Sequence, residues 1–256
     1  IALRIKDAVM NNGADLVVAD PRRIDLTRFA DLHIQQRCGT DVALFNAMMK
    51  VILDEGLHDE EYIRERTENF EELRESVADY TPEHAEAITG VPAHDIRRAA
   101  RMYAGAETGS IVYSMGITQH TTGTDNVLAL ANLAMMTGNV GKPSGGVNPL
   151  RGQNNVQGAC DLGALSNVYP GYQKVEDPES REKFEQAWGC DLDPNEGLTV
   201  VEIMKAAARG DVRGLYVMGE NPMLSDPNVN EVGEALEDVD FLVVQDLFLS
   251  ETAEYA

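Results

Sequence analysis

The sequence LVVADP, at residues 16–21, decides the fold of this chain. Residues 2–11 before it have apolar side chains at helical spacing, and Asn12-Gly13 closes that helix. The apolar run 16–19 then passes directly into the polar turn Asp20-Pro21-Arg22-Arg23. A short apolar run between two such boundaries is typical of a buried strand. The order helix, buried strand and polar turn is the first unit of an α/β fold.

Three later apolar runs end in the same way, each at a polar loop. They cover residues 111–115, 215–218 and 241–244, and a predicted helix precedes each of them. Strands that alternate with helices indicate a parallel sheet, and ligands bind outside the carboxyl ends of its strands. Four buried strands that end in polar groups therefore predict an α/β protein with a large, nucleotide-like ligand. The helices expected around these strands follow Thr40, begin at Thr81 and Pro92, and cover 127–136, 200–208 and 230–236.

The composition limits the partners of the chain. Its 256 residues, of which 43% are hydrophobic and 25% are charged, can bury a core large enough for one or two domains. The net charge of −22 disfavours binding to the phosphates of nucleic acid or to an anionic membrane. No apolar run of about 18 or more residues and no signal-peptide pattern occurs. We therefore expect a soluble, cytoplasmic chain that binds no nucleic acid and does not insert into a membrane.

The positions of cysteine and histidine predict no metal ligand within this chain. Cys38, Cys160 and Cys190 lie far apart and form no Cys-x-x-Cys pair, so neither a disulfide framework nor an iron–sulfur or zinc site is expected. The histidines show no metal-binding spacing either. His120 follows the second predicted strand and has the best position for a functional role, although a loop hydrogen bond is the simpler explanation.

Residues 139–172 form a long stretch without helical or strand periodicity. Within it, Arg151 is the only cation between Lys142 and Lys174, and glycines and side-chain amides surround it. Glycines allow a ligand to approach closely, amides donate and accept hydrogen bonds, and one guanidinium can bind a carboxylate through two parallel bonds. The pattern indicates a site for a small carboxylate. A Gly/Asn-rich surface linker with a solvated arginine would give the same pattern.

The end of the first predicted strand is a second candidate site. Asp20 can accept hydrogen bonds from ribose hydroxyls or from the N–H edge of guanine, and Arg22 and Arg23 can contact a phosphate. A simple Asp-Pro turn explains the same residues. No Gly-x-Gly-x-x-Gly sequence follows this strand, which disfavours a conventional NAD site.

Several strings spread along the chain form a characteristic set. They are VVADPRRIDLTRFAD, MGITQHTTGTDNV, LAMMTGNVGKPSGGVNPLRGQNNVQGACDLGAL, NVYPGYQ, YVMGENP and VVQDLF. Together they closely resemble the catalytic subunits of molybdopterin-dependent formate dehydrogenases. The string RGQNNVQGACD at residues 151–161 is specific for that subfamily, whereas the strand-end strings alone indicate only the broader molybdopterin oxidoreductase family. The chain therefore looks like an internal piece of such a subunit.

The resemblance implies two Rossmann-like, three-layer αβα domains with mainly parallel sheets, both truncated here. Residues 1–150 would form a first molybdopterin guanine dinucleotide-binding domain, incomplete at its N-terminus, and residues 151–256 a second, also incomplete. The family holds molybdenum or tungsten between two molybdopterin guanine dinucleotides. Its Cys or selenocysteine metal ligand, a histidine acid/base partner and the cysteines of a [4Fe–4S] cluster would all lie upstream of Ile1. The fragment alone is therefore expected to be inactive.

Site residues follow by matching the same strings. Arg151 resembles the arginine that holds the carboxylate of formate, and Gly152 and Gln153 belong to the adjoining pterin-facing loop. Asn221 stands where the family pattern often has Asp, which would keep a hydrogen-bond acceptor but lose a charge. The other implied cofactor contacts are Ala19, Asp20, Pro21, Arg22, Gly39, Asp41, Met115 and Gln119 in the first domain and Asn221, Ser225 and Gln245 in the second.

The implied reaction is the oxidation of formate to carbon dioxide, with electrons leaving through the iron–sulfur cluster. The implied partners are formate and iron–sulfur, NAD-linked or ferredoxin-linked electron-transfer subunits. Two alternatives remain open: another molybdopterin oxidoreductase, such as a nitrate reductase, and a non-catalytic structural homologue in a respiratory complex. The string at residues 151–161 favours formate, and the presence of Arg151, Gln119 and Asp20 argues against a purely structural subunit.

Overall fold

The chain divides into two compact units, which are described separately. A computed structural model describes all residues, 1–256. The first unit covers Ile1–Asn154 and the second covers Asn155–Ala256. That these units are nucleotide-binding domains with the boundaries 1–150 and 151–256 stays a prediction.

The first unit combines a helical layer with two pairs of short parallel strands. Strand β1 (Val17–Ala19) pairs with β2 (Leu32–Ile34), and β3 (Ser110–Tyr113) pairs with β4 (Gly146–Pro149). Asp25–Phe29 forms a short 3-10 helix. The α-helices are α1 (Ala2–Asn12), α2 (Asp41–Asp54), α3 (Glu60–Arg66), α4 (Phe70–Ser76), α5 (Pro82–Thr89), α6 (Ala93–Gly105), α7 (Met115–Thr118) and α8 (Gly123–Met136).

Helix α2 forms the centre of the core of the first unit. Its side chains Leu44, Ala47 and Ile52 are completely buried, and the helix packs against α5, α6 and α8. Buried residues occur on nearly every side of α2, as expected for a helix enclosed by other elements. Burying one side chain as large as that of Ile52 stabilises a fold by about 1.5–3 kcal/mol.

The second unit contains one antiparallel and one parallel pair of strands. Strand β5 (Val168–Tyr169) pairs antiparallel with β6 (Gln173–Lys174), and β7 (Gly214–Met218) pairs parallel with β8 (Phe241–Gln245). Thr252–Tyr255 forms a short 3-10 helix. The α-helices are α9 (Val156–Asp161), α10 (Pro178–Trp188), α11 (Val200–Ala208), α12 (Pro222–Ser225) and α13 (Val229–Asp238).

Helices α11 and α13 cover one face of the β7–β8 pair. Their side chains pack with Leu215 and Leu242 of the strands. On the other face, Tyr216 and Met218 are 61% and 65% exposed. The prediction that this pair of strands is buried is therefore wrong, because only one of its faces is covered.

Helix starts follow cap residues that can be read in the sequence. The Thr81 hydroxyl accepts a hydrogen bond from the backbone N–H of His84 (3.2 Å), which confirms the predicted start of α5. Helix α11 begins with a capping box, in which Glu202 accepts hydrogen bonds from the backbone N–H and the hydroxyl of Thr199 (2.8 and 2.7 Å). The two caps satisfy backbone donors that would otherwise lack partners at the ends of these helices.

The predicted α/β class with mainly parallel strands is confirmed. The strand predicted over 111–115 is too long, because Met115 already belongs to α7. The stretch 139–172 is not one continuous loop, since β4, α9 and β5 lie within it. The sequence Gly146-Val147-Asn148-Pro149 has no strand periodicity, and the pairing of β4 with β3 determines its conformation.

No helix has both the length and the apolar character needed to cross a membrane.

Candidate active site

The first candidate position lies at the carboxyl end of β1. Asp20 extends the ladder, since its backbone N–H donates to the carbonyl of Ile34 (3.0 Å). Its Oδ1 then accepts a hydrogen bond from the backbone N–H of Arg22 (2.7 Å), which makes the Asp-Pro turn that the sequence allowed. Oδ2 of Asp20 receives no hydrogen bond from the chain, and Ala19, Pro21 and Arg22 are exposed. The turn therefore leaves one carboxylate oxygen and a surface guanidinium available to a ligand.

The loop after β2 contains two further predicted residues in different surroundings. Gly39 is exposed and has φ +78°, with open space where a Cβ would point. Asp41 is only 4% exposed at the start of α2, and its Oδ1 accepts a hydrogen bond from Nε2 of Gln36 (3.2 Å). The buried Oε1 of Gln36 has no hydrogen-bond partner. Asp41 thus faces the protein interior, whereas Gly39 lies at the surface.

The β3–β4 pair places the loop of residues 150–154, called the arginine loop, beside α7. The backbone N–H of Leu150 donates to the carbonyl of Tyr113 (2.7 Å), and the hydroxyl of Ser114 donates to the carbonyl of Leu150 (2.6 Å). A Cβ built on Gly152 would lie 2.9 Å from Cε of Met115, so the loop and the side chain of Met115 are in close contact. The structure therefore brings the loop of Arg151 and the predicted contact Met115 together at the carboxyl end of the β3–β4 pair.

Arg151 has no partner inside the chain. Its side chain is exposed and makes no hydrogen bond or ion pair, and the side-chain amides of Gln119 and Gln153 are likewise exposed and unpaired. The hydrogen bonds at Leu150 anchor the loop directly before Arg151. A guanidinium on a loop anchored at a strand end, with free amides on the same loop and directly after α7, suits the binding of a small anion better than an unanchored surface linker would.

Asn126 positions α7, although no sequence motif identified it. Its side chain is 1% exposed, and its Nδ2 donates to the carbonyl of Ile117 (2.8 Å) near the end of α7. Its Oδ1 is buried without a partner. The one signal in the sequence is a polar residue at the start of the apolar run 127–136.

His120 makes a local loop contact only, between its Nε2 and the carbonyl of Gly116 (2.8 Å).

Replacing Asn126 by alanine should loosen the segment that carries Met115 and Gln119. The carbonyl of Ile117 would lose its donor at a half-buried position, which costs about 0.5–1.5 kcal/mol. We expect faster hydrogen exchange at residues 115–119 of the full-length protein, measured by mass spectrometry. Asn132→Ala, on the same helix, is the matched control, and equal exchange in the two variants would contradict this role of Asn126.

In the second unit, Asn221 begins a hydrogen-bond network between the ends of β7 and β8. Its Oδ1 accepts hydrogen bonds from the backbone N–H and the hydroxyl of Thr252 (3.2 and 2.7 Å). Its Nδ2 donates to Oε2 of Glu251 (2.6 Å). Both lone pairs of the amide oxygen are therefore engaged. The group of Asn221 that stays free is an N–H donor, and its predicted contact with a cofactor stays a prediction.

The other two predicted residues of the second unit lie at the same strand ends. The Tyr216 hydroxyl donates to Oε1 of Gln245, so the amide nitrogen of Gln245 is left free at the surface. The hydroxyl of Ser225 donates to the carbonyl of Asn221 (3.2 Å). The pKa of Glu251 is lowered by its own backbone N–H and then by the amide of Asn221. This end of the sheet therefore presents an ionised carboxylate beside amide donors.

The comparison with protein families decides the assignment. The family model described as molybdopterin oxidoreductase matches residues 1–256, the whole chain. The chain belongs to the molybdopterin oxidoreductase family. Its relatives in this family include the alpha subunit of the F420-dependent formate dehydrogenase of Methanocaldococcus jannaschii, 54% identical over 256 residues, which are 100% of this chain and 37% of that protein. Formate dehydrogenase H of Escherichia coli is 51% identical over 246 residues, 96% of this chain and 34% of that protein.

A solved structure in the comparison has the same fold. Acetylene hydratase from Pelobacter acetylenicus superposes with a TM-score of 0.72 at 25% identity, over 98% of this chain and 37% of that one. The chain spans about a third of the length of these proteins. The two-unit α/β architecture described above is thus part of a larger molybdopterin oxidoreductase fold.

The exposed groups of the first unit fit the pterin cofactor that the family name implies. A pterin ring and its phosphate require both donors and acceptors, and the free amides of Gln119 and Gln153 supply both. The free oxygen of Asp20 adds an acceptor, and Arg151 adds a positive charge. Glycine at 152 keeps the loop against Met115 without a side chain in the way. The donor set and the close approach of the loop are therefore compatible with a molybdopterin cofactor.

Proposed function

We propose that this chain is the central part of the catalytic subunit of a formate dehydrogenase, which oxidises formate to carbon dioxide. The observation that carries the proposal is the exposed, unpaired Arg151 on a loop anchored at the carboxyl end of β3 and β4. Identities of 54% and 51% to two formate dehydrogenases support the same activity for the whole protein.

Arg151 binds the carboxylate of formate in this proposal. Its planar guanidinium can donate two parallel hydrogen bonds to the two oxygens of the substrate, which fixes the orientation of the C–H bond. The arginine also offsets the negative charge of formate as the substrate leaves water. A guanidinium has five N–H donors and no acceptor, so it can bind and orient a carboxylate. Arg151 is thus a binding and positioning group, and proton transfer belongs to other residues of the full-length subunit.

The proposed cofactor is a pair of molybdopterin guanine dinucleotides that hold molybdenum or tungsten. When bound, this group supplies the two-electron acceptor for the oxidation of formate. One nucleotide would lie along the strand ends of the first unit and the other along those of the second unit, since open α/β sheets bind nucleotides at such ends. The proposed contacts are Ala19, Asp20, Pro21, Arg22, Gly39, Asp41, Met115, Gln119, Gly152 and Gln153 in the first unit and Asn221, Ser225 and Gln245 in the second.

Electrons leave the site through groups that lie outside these 256 residues in this proposal. A [4Fe–4S] cluster in the full-length subunit is the proposed first acceptor beyond the metal. Iron–sulfur, NAD-linked or ferredoxin-linked subunits are the proposed partners. Two relatives are named as alpha subunits of F420-dependent formate dehydrogenases, which supports an enzyme of several subunits.

The test is made on the purified full-length subunit. We expect formate to reduce a viologen dye, and we expect molybdenum or tungsten and GMP to be released from the same sample by acid hydrolysis. Oxidation of reduced viologen by nitrate, without any reaction with formate, would replace the proposal by a nitrate reductase. A preparation that holds neither metal nor pterin after expression in a competent host would indicate a structural homologue.

A further inference from the structure

The carbonyl of Leu150 belongs to the peptide that leads into Arg151. Because a peptide unit is planar, the direction of this carbonyl also fixes the backbone nitrogen and the Cα of Arg151. The bond from the N–H of Leu150 to the carbonyl of Tyr113 acts on the preceding peptide, and it leaves rotation about the Cα–C bond of Leu150 free. The peptide before Arg151 therefore needs a second constraint to hold its orientation.

The hydroxyl of Ser114 provides this constraint. It donates to the carbonyl of Leu150 over 2.6 Å at a half-buried position. Ser114 is the N-cap residue of α7, where the side chain of a serine usually accepts a hydrogen bond from a backbone N–H of its own helix. No such bond forms here. The side chain of Ser114 therefore holds the arginine loop and does not cap α7.

The arginine loop has few other constraints. Within the first unit, residues 151–154 make no main-chain hydrogen bond, and Ser114 is the only residue whose side chain hydrogen-bonds to the main chain of the loop. The contact of Gly152 with the side chain of Met115 is apolar, and a methionine side chain is flexible. The orientation of the peptide before Arg151 thus depends mainly on one hydroxyl.

We propose that Ser114 is a positioning residue, whose hydroxyl keeps the guanidinium of Arg151 where it binds the carboxylate of formate. The inference rests on the proposed role of Arg151 and adds a residue that sets the affinity for the substrate without contacting it. Without the hydroxyl, the peptide before Arg151 rotates and the guanidinium occupies its binding position for a smaller fraction of the time. The apparent Kd rises in inverse proportion to that fraction.

The experiment compares the formate kinetics of Ser114→Ala and Ser114→Thr in the full-length enzyme. Alanine differs from serine by one oxygen atom, so Ser114→Ala tests the hydroxyl alone. We expect it to raise KM for formate by roughly threefold to tenfold, as the loss of one hydrogen bond allows. It should leave kcat close to that of the wild type, because bound formate still holds Arg151 in place. Ser114→Thr keeps the hydroxyl and should restore the KM of the wild type.

Ser110→Ala is the matched control. Ser110 lies on the same strand, and its hydroxyl accepts a hydrogen bond from Nδ2 of Asn148 (2.9 Å). This bond also joins β3 to β4, but it lies near the other end of the pair. The control loses a hydrogen bond of the same kind between the same strands, and it should keep the KM of the wild type.

A second measurement reads formate binding without turnover. A dicarbonyl reagent modifies exposed arginines, and peptide mass spectrometry of the full-length enzyme reports how far Arg151 has reacted. Formate should protect Arg151 from the reagent. Ser114→Ala should need roughly threefold to tenfold more formate than the wild type for half-protection, in step with its KM.

The outcomes distinguish this inference from the proposed function. A wild-type enzyme in which formate does not protect Arg151 would overturn the roles of both Arg151 and Ser114. Protection and turnover in the wild type, with unchanged KM and unchanged half-protection in Ser114→Ala, would overturn only the role of Ser114. A lower kcat at unchanged KM would show that Ser114 is merely structural, and an equal rise of KM in Ser110→Ala would show that its bond to Leu150 has no special effect.

Discussion

Replacement of Arg151 by alanine in the full-length enzyme is expected to lower kcat/KM for formate by on the order of 100-fold. The guanidinium makes no bond within the chain, so its loss removes no internal contact and should leave the fold intact. Arg151→Lys keeps the charge but loses the planar pair of donors, and it should recover only part of the activity. The measurement is formate-dependent dye reduction at substrate concentrations from well below to well above KM.

Arg66→Ala is the matched control for this prediction. Arg66 is also exposed and also makes no ion pair or hydrogen bond, but it lies at the end of α3, far in sequence from the arginine loop. We expect the control to retain the kcat/KM of the wild type. Equal kcat/KM for Arg151→Ala and Arg66→Ala would show that Arg151 does not bind the substrate.

Replacement of Ile52 by alanine should destabilise the first unit by about 2–5 kcal/mol. Ile52 is completely buried on α2, and α5, α6 and α8 surround that helix, so the cavity has little freedom to collapse. The expected result is a lower melting temperature of the full-length protein and faster hydrogen exchange along α2. Because Asp41 begins the same helix, the backbone amides of the loop around Gly39 should also exchange faster.

Leu128→Ala serves as the control for the core substitution. The side chain of Leu128 is 55% exposed on α8, so its truncation removes a similar volume but leaves little cavity. Its effect should stay within about 0.5 kcal/mol. A melting temperature lowered equally by both substitutions would mean that the core does not centre on α2.

Elements with strong local signals were predictable from the sequence. The capping box of Thr199 and Glu202 and the apolar spacing after it place α11 at Val200–Ala208, as predicted. The polar residues at strand ends likewise predicted where candidate ligand contacts lie, and Asp20 and Gln245 do stand at the carboxyl ends of paired parallel strands. In these cases the deciding interactions lie within a few residues of each other.

Features that depend on distant contacts were not predictable. Strand β4 contains Gly146 and Pro149 and forms because β3 lies alongside it. The network from Asn221 to Thr252 spans 31 residues, and nothing in the local sequence shows that it consumes the acceptor of Asn221. No sequence motif identifies Asn126, because its role depends on a single hydrogen bond to the carbonyl of Ile117. The residue types predict which groups at the site can donate or accept hydrogen bonds. How those groups are oriented depends on the fold.

The anchor of the arginine loop has a consequence for how such a protein can diversify. The bond from Leu150 to Tyr113 joins main-chain atoms, and the hydroxyl of Ser114 reaches the main chain of Leu150. None of these bonds uses a side chain of residues 151–154. Mutation can therefore exchange the side chains of Arg151, Gln153 and Asn154 one at a time while the loop keeps its place, so substrate preference can change in steps that each leave the protein folded. Acetylene hydratase, named for a different small molecule, shares this fold at 25% identity.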